Sequence, residues 1–186
     1  VVNLKEAIKQ SCDTYFYEIA RKLGVDRLNK TALKFGLGKK VLNETFINEK
    51  SGLVPSTEWK KNNLGKGWVL GETLITGIGQ GYIQTTPLQL CMMTAQLANG
   101  GYQIYPKIIV NKNDDSYEKI LDSIEQNQKI FKETKDGLIE ASDQLLNFIK
   151  EKRHEPLYRN PENIKFVLNA MFNSTNEVRG TSYSSR

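Results

Sequence analysis

The stretch GETLITGIGQGYIQTTPLQLCMMTAQLANGG, from Gly71 to Gly101, decides the fold that we expect for this chain. Charged residues make up 25% of the chain, yet none lies between Glu72 and Lys107. A charge-free gap of this length in a basic chain is typical of the part that lies deepest in the core. We therefore expect the other helices and strands to pack around this stretch.

The second half of the stretch predicts a helix from Thr86 to Asn99. Thr86 is a good N-cap, Pro87 suits the first helical position, and the two glycines after Asn99 are a good stop. Between these signals the polar residues are only Gln89, Thr94 and Gln96. A helix that is apolar on nearly all sides is buried on nearly all sides, so we expect the most buried helix here.

The first half of the stretch has glycines at positions 77, 79 and 81, which predicts a strand or hairpin from Leu74 to Ile83. Glycine at every second position removes the side chains from one face, so another part of the chain would pack closely there. The alternative is a ligand-facing loop. A phosphate-binding loop needs a following helix N-terminus with exposed amides, and here a β-like segment follows, so close packing is favoured.

Apolar residues at helical spacing predict several further helices, and alternation predicts one more strand. The strand is expected near Gln103–Val110, which makes the fold class α+β. We expect Ser11 to lie at the end of the first helix on its buried side, and Asp13 to be the N-cap of the second. The predicted helices are Leu4–Gln10, Thr14–Leu23, Asp26–Phe35, Gly137–Lys152, and one that starts at Asn160-Pro161, and a short turn or helix is expected to begin at residues 57–61.

Composition excludes several classes of function. The net charge of +5 is spread along the chain, without the concentrated basic, aromatic-rich patch that nucleic-acid binding requires. Cys12 and Cys91 form neither a metal-spaced pair nor a disulfide framework, and we expect both to be small buried residues. The single histidine, His154, lies in a charged stretch and is predicted to be a solvated surface residue. No run of about 18 apolar residues and no signal peptide occurs.

The triplet Ser11-Cys12-Asp13 is the best candidate for chemistry. It lies at the junction of the first two predicted helices, where a hydroxyl close to a carboxylate suits proton transfer in a serine acyl-transfer site. The structural alternative is that Asp13 only caps its helix and Ser11 only ends the preceding one. Such a triplet also occurs by chance in a chain of this composition, so the three residues alone leave both interpretations open.

Five segments occur in an order that resembles one family: SCDTYFYEIARKLG, FGLG, GLVPSTEWK, the charge-free stretch and GTSYSSR. Together they resemble the transpeptidase domain of class B penicillin-binding proteins, and most of all the elongation type, the penicillin-binding protein 2 family. The combination of GIGQG with TPLQL is highly specific. The region from Asp114 to Glu162 matches least well.

The resemblance implies a penicillin-binding transpeptidase or serine β-lactamase-like fold, with helices packed on an antiparallel sheet. It also implies a peptidoglycan D,D-transpeptidase that works in cell-wall elongation and has no metal or organic cofactor. The expected partners are peptidoglycan stem peptides, β-lactams and other cell-wall elongation proteins. The expected location is the periplasmic face of the bacterial inner membrane, with a membrane anchor upstream of these residues.

Three motifs define the family's site: a nucleophilic Ser-x-x-Lys, a Ser-x-Asn or Ser-x-Asp, and a Lys-Thr/Ser-Gly. By resemblance, Ser11 and Asp13 are the second motif. The first is expected before Val1 and the third after Arg186, so that residues 1–186 are an incomplete transpeptidase domain. Three look-alikes stand out of order and are interpreted as coincidences: Ser116-Tyr117-Glu118-Lys119, Lys50-Ser51-Gly52 and Ser174-Thr175-Asn176.

A rival hypothesis is a non-catalytic binding or scaffold module that kept this fold and lost its site. The flanking sequence discriminates between the two. A Ser-x-x-Lys upstream and a Lys-Thr-Gly downstream would support the enzyme, and their absence from the full gene would support the module.

Overall fold

The computed structural model describes residues 2–42, 48–106 and 155–185. In these ranges the chain is helical, and its extended pairing consists of two isolated antiparallel bridges, Leu53 with Gln84 and Tyr102 with Pro156. The predicted antiparallel sheet is therefore not seen in the described part of the chain. The predicted helix Gly137–Lys152 and most of the predicted strand Gln103–Val110 lie outside the described residues.

The helices begin close to the predicted positions because their start signals are local. Asn3 accepts a hydrogen bond from the Glu6 amide at 2.9 Å, and Asn160 accepts one from the Glu162 amide at 3.0 Å. The helices are α1 (Leu4–Lys9), α2 (Asp13–Leu23), α3 (Val25–Lys34), α4 (Thr57–Leu64), α5 (Leu70–Thr76), α6 (Pro87–Ala98) and α7 (Pro161–Asn176), and a 3-10 turn follows at Tyr183–Ser185.

The predicted strand Leu74–Ile83 is wrong, because helix α5 occupies its first part and a turn follows. The Glu72 carboxylate accepts a hydrogen bond from the Val69 amide at 3.0 Å and so caps the start of α5. Gly79 and Gly81 have φ angles of +77° and +81°, which suit glycine in a turn. The alternate spacing of the glycines therefore reflects a helix end and a turn rather than a pleated strand.

Close packing at the glycines is confirmed at two of the three positions. A Cβ atom on Gly77 would lie 2.4 Å from the Cβ of Ala20, so this glycine lets the end of α5 approach α2. A Cβ on Gly81 would lie 2.9 Å from a terminal carbon of Ile75, whereas Gly79 has no neighbour within 4 Å. Gly77 thus fixes how closely α5 packs against the helix that begins at the candidate site.

Helix α6 begins as predicted but is not buried on nearly all sides. Thr86 and Gln89 form a reciprocal capping box, with bonds of 3.2 and 2.9 Å. The buried side chains of α6 are Gln89, Met92 and Gln96, while Leu90 is 45% exposed. Its main helical neighbour is α7 rather than α1 or α2. The prediction of burial on nearly all sides is wrong because α6 binds the neighbouring loops through the side-chain amides of its glutamines and not through its leucines.

A buried ion pair joins α4 to α5. Lys60 is only 4% exposed, and its ammonium group binds the carboxylate of Glu72. The rings of Trp68 and Tyr82 lie 5.8 and 6.0 Å from the Lys60 nitrogen, and Trp59 packs against Tyr82. The two tryptophans therefore serve as packing residues around an ion pair that the sequence pattern does not reveal.

Helices α1 and α2 are held by different neighbours. Helix α1 packs mainly on α7, and α2 packs on α5 and α3. The turn that joins α1 to α2 therefore lies between two packed groups of helices, and this turn contains Ser11. The two helices that flank the turn are thus packed on parts of the chain that are far apart in sequence.

Candidate active site

Ser11 lies in the turn between α1 and α2, and its side chain is exposed. Its φ angle is +54°, the only positive value at a non-glycine residue in the described ranges. The amide of Cys12 donates a hydrogen bond to the carbonyl of Ala7 at 2.9 Å and closes the turn. The prediction that Ser11 lies on the buried side is wrong, because α1 ends at Lys9 and Ser11 falls in the exposed turn that follows.

Asp13 is the first residue of α2 and is exposed. It is not the N-cap: that position belongs to Cys12, whose side chain makes no capping bond. Among the described residues, no hydrogen bond or ion pair involves the Asp13 carboxylate. Asp13 is therefore an exposed carboxylic side chain at the start of α2, two residues after Ser11.

The two cysteines differ in exposure. Cys12 is half-buried between Ser11 and Asp13, and its sulfur lies 3.3 Å from the hydroxyl oxygen of Thr14. The Thr14 hydroxyl, and then the Tyr15 amide, lower the pKa of the Cys12 thiol. Cys91 is exposed on α6, so its predicted burial is wrong. The apolar pattern of α6 could not reveal this, because it continues around the whole helix.

Lys9 is the buried residue of the site that sequence reasoning missed. It is 6% exposed, and its ammonium nitrogen lies 2.9 Å from Glu6 and 2.6 Å from Glu177. The hydrogen bonds that the Lys9 ammonium donates to these carboxylates, to Glu177 first, raise the pKa of Lys9. Its main-chain carbonyl accepts hydrogen bonds from the amide and the hydroxyl of Thr181 at 3.0 and 3.1 Å. Of the two partners of Lys9, only Glu6 could be expected from the sequence, because it lies three residues earlier on the same helix.

The look-alike motifs in the described ranges have structural roles. The carbonyl of Ser51 accepts a hydrogen bond from Gln89, so Lys50-Ser51-Gly52 anchors a loop to α6. In Ser174-Thr175-Asn176, the side chains of Thr175 and Asn176 both donate to the carbonyl of Phe172 at the end of α7. Ser116 lies outside the described residues.

The family profile described as penicillin binding protein transpeptidase domain matches residues 1–144 of the 186. The chain belongs to this family. The match includes the Ser11 turn and the whole stretch from Gly71 to Gly101, which carry most of the resemblance seen in the sequence.

Named relatives agree with this assignment. The chain is 42% identical over 109 residues to the peptidoglycan D,D-transpeptidase MrdA of Acinetobacter baumannii, a match of 59% of this chain and 16% of the relative. It is 35% identical over 114 residues to MrdA of Escherichia coli, a match of 61% of this chain and 18% of the relative. The matched part thus spans less than a fifth of either relative.

Solved structures give the same fold. The chain resembles Pseudomonas aeruginosa PBP2, crystallised in complex with WCK 5153, with a TM-score of 0.68 and 34% identity. That match covers 98% of this chain and 34% of the other. It also resembles Helicobacter pylori PBP2, in its complex with MreC, with a TM-score of 0.71 and 25% identity over 99% of this chain and 28% of the other. The fold is therefore that of a penicillin-binding transpeptidase.

Two searches of the described residues gave no candidates. None of the described helices is both long and apolar enough to cross a bilayer. No group of three or more His, Cys, Asp and Glu side chains in the described ranges could hold a metal ion.

Proposed function

We propose that this chain is part of a peptidoglycan D,D-transpeptidase and that Ser11 and Asp13 belong to its catalytic site. In this reaction a serine attacks the D-Ala-D-Ala end of a stem peptide, D-alanine leaves, and an amine of a neighbouring stem peptide resolves the acyl-enzyme. The nucleophilic serine and its lysine are expected before Val1, and the Lys-Thr/Ser-Gly motif after Arg186, so residues 1–186 would form an incomplete domain.

The observation that carries the proposal is the conformation of Ser11. A left-handed φ costs a non-glycine residue about 1–3 kcal/mol and persists only where the surrounding structure enforces it. Here it is adopted by an exposed serine in the turn, two residues before the exposed Asp13. A residue that served only to end α1 would gain nothing from this cost, because glycine adopts the same angle freely.

The proposed roles follow from the chemistry of the two groups. The Ser11 hydroxyl can both donate and accept, so it can pass a proton between the lysine base and the leaving nitrogen. The Asp13 carboxylate accepts only, so it can hold the lysine ammonium or a substrate amide by a charge-assisted hydrogen bond. Neither role requires a metal or an organic cofactor.

The proposed partners and location follow from the family. Peptidoglycan stem peptides are the substrates and β-lactams the acylating inhibitors. The Helicobacter pylori relative is crystallised with MreC, which supports other cell-wall elongation proteins as partners. The proposed location is the periplasmic face of the bacterial inner membrane.

Acylation by a labelled penicillin tests the site in the protein expressed with the sequence that flanks these residues in its gene. Ser11→Ala should slow acylation by about 10²–10⁴ because it removes a proton-transfer group. Asp13→Asn keeps the shape and removes the charge, and it should also slow acylation. Lys22→Ala, an exposed position at the other end of α2, is the control.

Two results would overturn the proposal. An unchanged acylation rate in Ser11→Ala would leave Ser11 with a structural role only. Absence of labelling in the unaltered protein would favour the non-catalytic module. Because Asp13 is not the N-cap, the loss of about 1 kcal/mol expected for a lost cap should not accompany Asp13→Asn in unfolding experiments.

A further inference from the structure

The segment Glu177–Thr181, which we call the latch segment, connects the end of α7 to the end of α1. Its first residue binds the Lys9 ammonium group at 2.6 Å. Its last residue donates its amide and its hydroxyl to the Lys9 carbonyl at 3.0 and 3.1 Å. Lys9 is thus bound through both its side chain and its main chain, two residues before Ser11.

The latch segment has a geometry of its own that fits this role. The amide of Gly180 donates to the carbonyl of Glu177 at 2.7 Å, and the amide of Ser182 donates to the carbonyl of Ser174 at 3.1 Å. A Cβ on Gly180 would lie 2.0 Å from the Ser174 oxygen, so only glycine lets the chain pass this close to α7. The segment is therefore a tight turn folded back on α7, and it presents Glu177 and Thr181 to α1.

Helix α1 needs such support. It has six residues, and a helix this short is not stable without tertiary contacts. Within the Ser11 turn itself, the Ser11 amide reaches the Ile8 carbonyl only at 3.4 Å, and the Cys12 amide binds Ala7 at 2.9 Å. These two bonds end α1 in the arrangement that commonly places a left-handed residue after a helix, so the conformation of Ser11 depends on α1 staying folded up to Lys9. The contacts of Lys9 with the latch segment hold this last turn of α1.

We propose that Lys9, Glu177 and Thr181 are positioning residues that hold Ser11 in its left-handed conformation, so that the orientation of its hydroxyl depends on the end of α7. The proposal rests on the proposed catalytic role of Ser11. The proposal gives Glu177 and Thr181 of the latch segment a role in acylation, although none of the three contacts that they make with Lys9 involves Ser11 itself.

The test is a double-mutant cycle, measured as the rate of acylation by a labelled penicillin in the protein with its natural flanks. Thr181→Val keeps the shape and the main-chain bond but removes the hydroxyl bond to Lys9. Thr181→Val should slow acylation at least about threefold. The upper limit is the roughly 100-fold that a displacement of a reacting group by about 1 Å costs. Thr181→Ser, unlike Thr181→Val, keeps a hydroxyl that can bind the Lys9 carbonyl, so it should be acylated at the rate of the unaltered protein. Glu177→Gln, which removes the ion-pair charge, should slow acylation in the same range.

The informative step is to repeat Thr181→Val in a Ser11→Ala background. If the latch segment acts through Ser11, adding Thr181→Val leaves the reduced acylation rate of Ser11→Ala unchanged within about twofold, because the hydroxyl that the latch segment positions is absent. Equal slowing in both backgrounds would overturn the proposal, since a purely structural defect does not depend on Ser11. Unchanged acylation in both Thr181→Val and Glu177→Gln would also overturn it.

Val178→Ala is the matched control, because Val178 lies inside the latch segment and is 80% exposed. It should leave acylation unchanged. A different result is expected if the proposed catalytic role of Ser11 is wrong: the Ser11→Ala variant alone would then be acylated at the rate of the unaltered protein. Circular dichroism of each variant checks that the protein is folded, and Glu177→Gln keeps the proposal testable if Thr181→Val does not fold.

Discussion

At the scale of single residues, the polar side chains of the charge-free stretch matter more for stability than its leucines. Gln89 is fully buried and its amide nitrogen donates to the carbonyls of Lys39 and Ser51 at 2.7 and 2.8 Å. Gln96 is also buried, donates to the carbonyl of Phe35 at 2.9 Å, and accepts from the amide of Ile104 at 3.2 Å. These amides satisfy loop groups that would otherwise be buried without partners.

Gln89→Ala should therefore destabilise this chain more than Leu90→Ala, which reverses the order expected from hydrophobicity. Loss of the Gln89 amide leaves loop carbonyls unsatisfied at about 1–3 kcal/mol each. Leu90 is 45% exposed, so its truncation should cost only about 1 kcal/mol, less than the roughly 2–5 kcal/mol of a fully buried leucine. Urea unfolding of the two variants measures both values. A larger loss for Leu90→Ala would contradict this assignment of the core.

At the scale of elements, the Lys60–Glu72 pair joins α4 to α5 and sets a pH dependence. The Lys60 ammonium, and then the Val69 amide, lower the pKa of Glu72 below its ordinary value of 4.5. A carboxyl group whose pKa is depressed by folding adds stability above its unfolded pKa, and this stability is lost as the pH falls through the folded pKa.

The unaltered chain and Glu72→Gln should accordingly differ in a pH-dependent way. Glutamine can still accept the Val69 amide but cannot pair with the Lys60 charge. The difference in the free energy of unfolding should be constant above about pH 5 and should shrink below pH 4.5, where the Glu72 carboxylate becomes protonated. Denaturant unfolding from pH 7 to pH 3 measures it. A difference that stays constant down to pH 3 would show that the ion pair does not contribute through its charge.

At the scale of the whole molecule, residues 1–186 by themselves should form no stoichiometric adduct with a fluorescent penicillin. Acyl transfer needs the nucleophile and its base together, and removal of either abolishes nearly all of the rate. The only Ser-x-x-Lys in the chain is Ser116 to Lys119, which stands in a polar stretch after the second motif. Intact-mass analysis is the measurement. An adduct on Ser116 would show that this motif is the nucleophile and would contradict the proposed order of motifs.

We also expect the 186-residue chain to be marginally stable or to self-associate, which size-exclusion chromatography can follow in the same samples. Large apolar side chains are exposed in several parts of the described chain, and such surfaces promote association. The most exposed of them are Val178, Tyr105 and Val69.

The sequence by itself determined most of the described helix starts, though not that of α5, and the family. Capping residues and apolar periodicity act within a few positions, so Asn3, Thr86 and Asn160 marked helix starts correctly, and the ordered motifs identified a penicillin-binding transpeptidase domain. The triplet Ser11-Cys12-Asp13 was likewise found from local sequence alone.

Only the tertiary structure decided which residues are buried and how Ser11 is held. Gln89 bonds to a carbonyl 50 positions away, and Lys9 pairs with Glu177, 168 positions away. Patterns along the chain do not encode such pairings, because the partner of a buried polar group is set by the packing of distant segments. That a serine, and not a glycine, takes the left-handed angle after α1 is likewise seen only in the structure, although the hydrogen bonds that close this helix end, from Cys12 to Ala7 and from Ser11 to Ile8, are local.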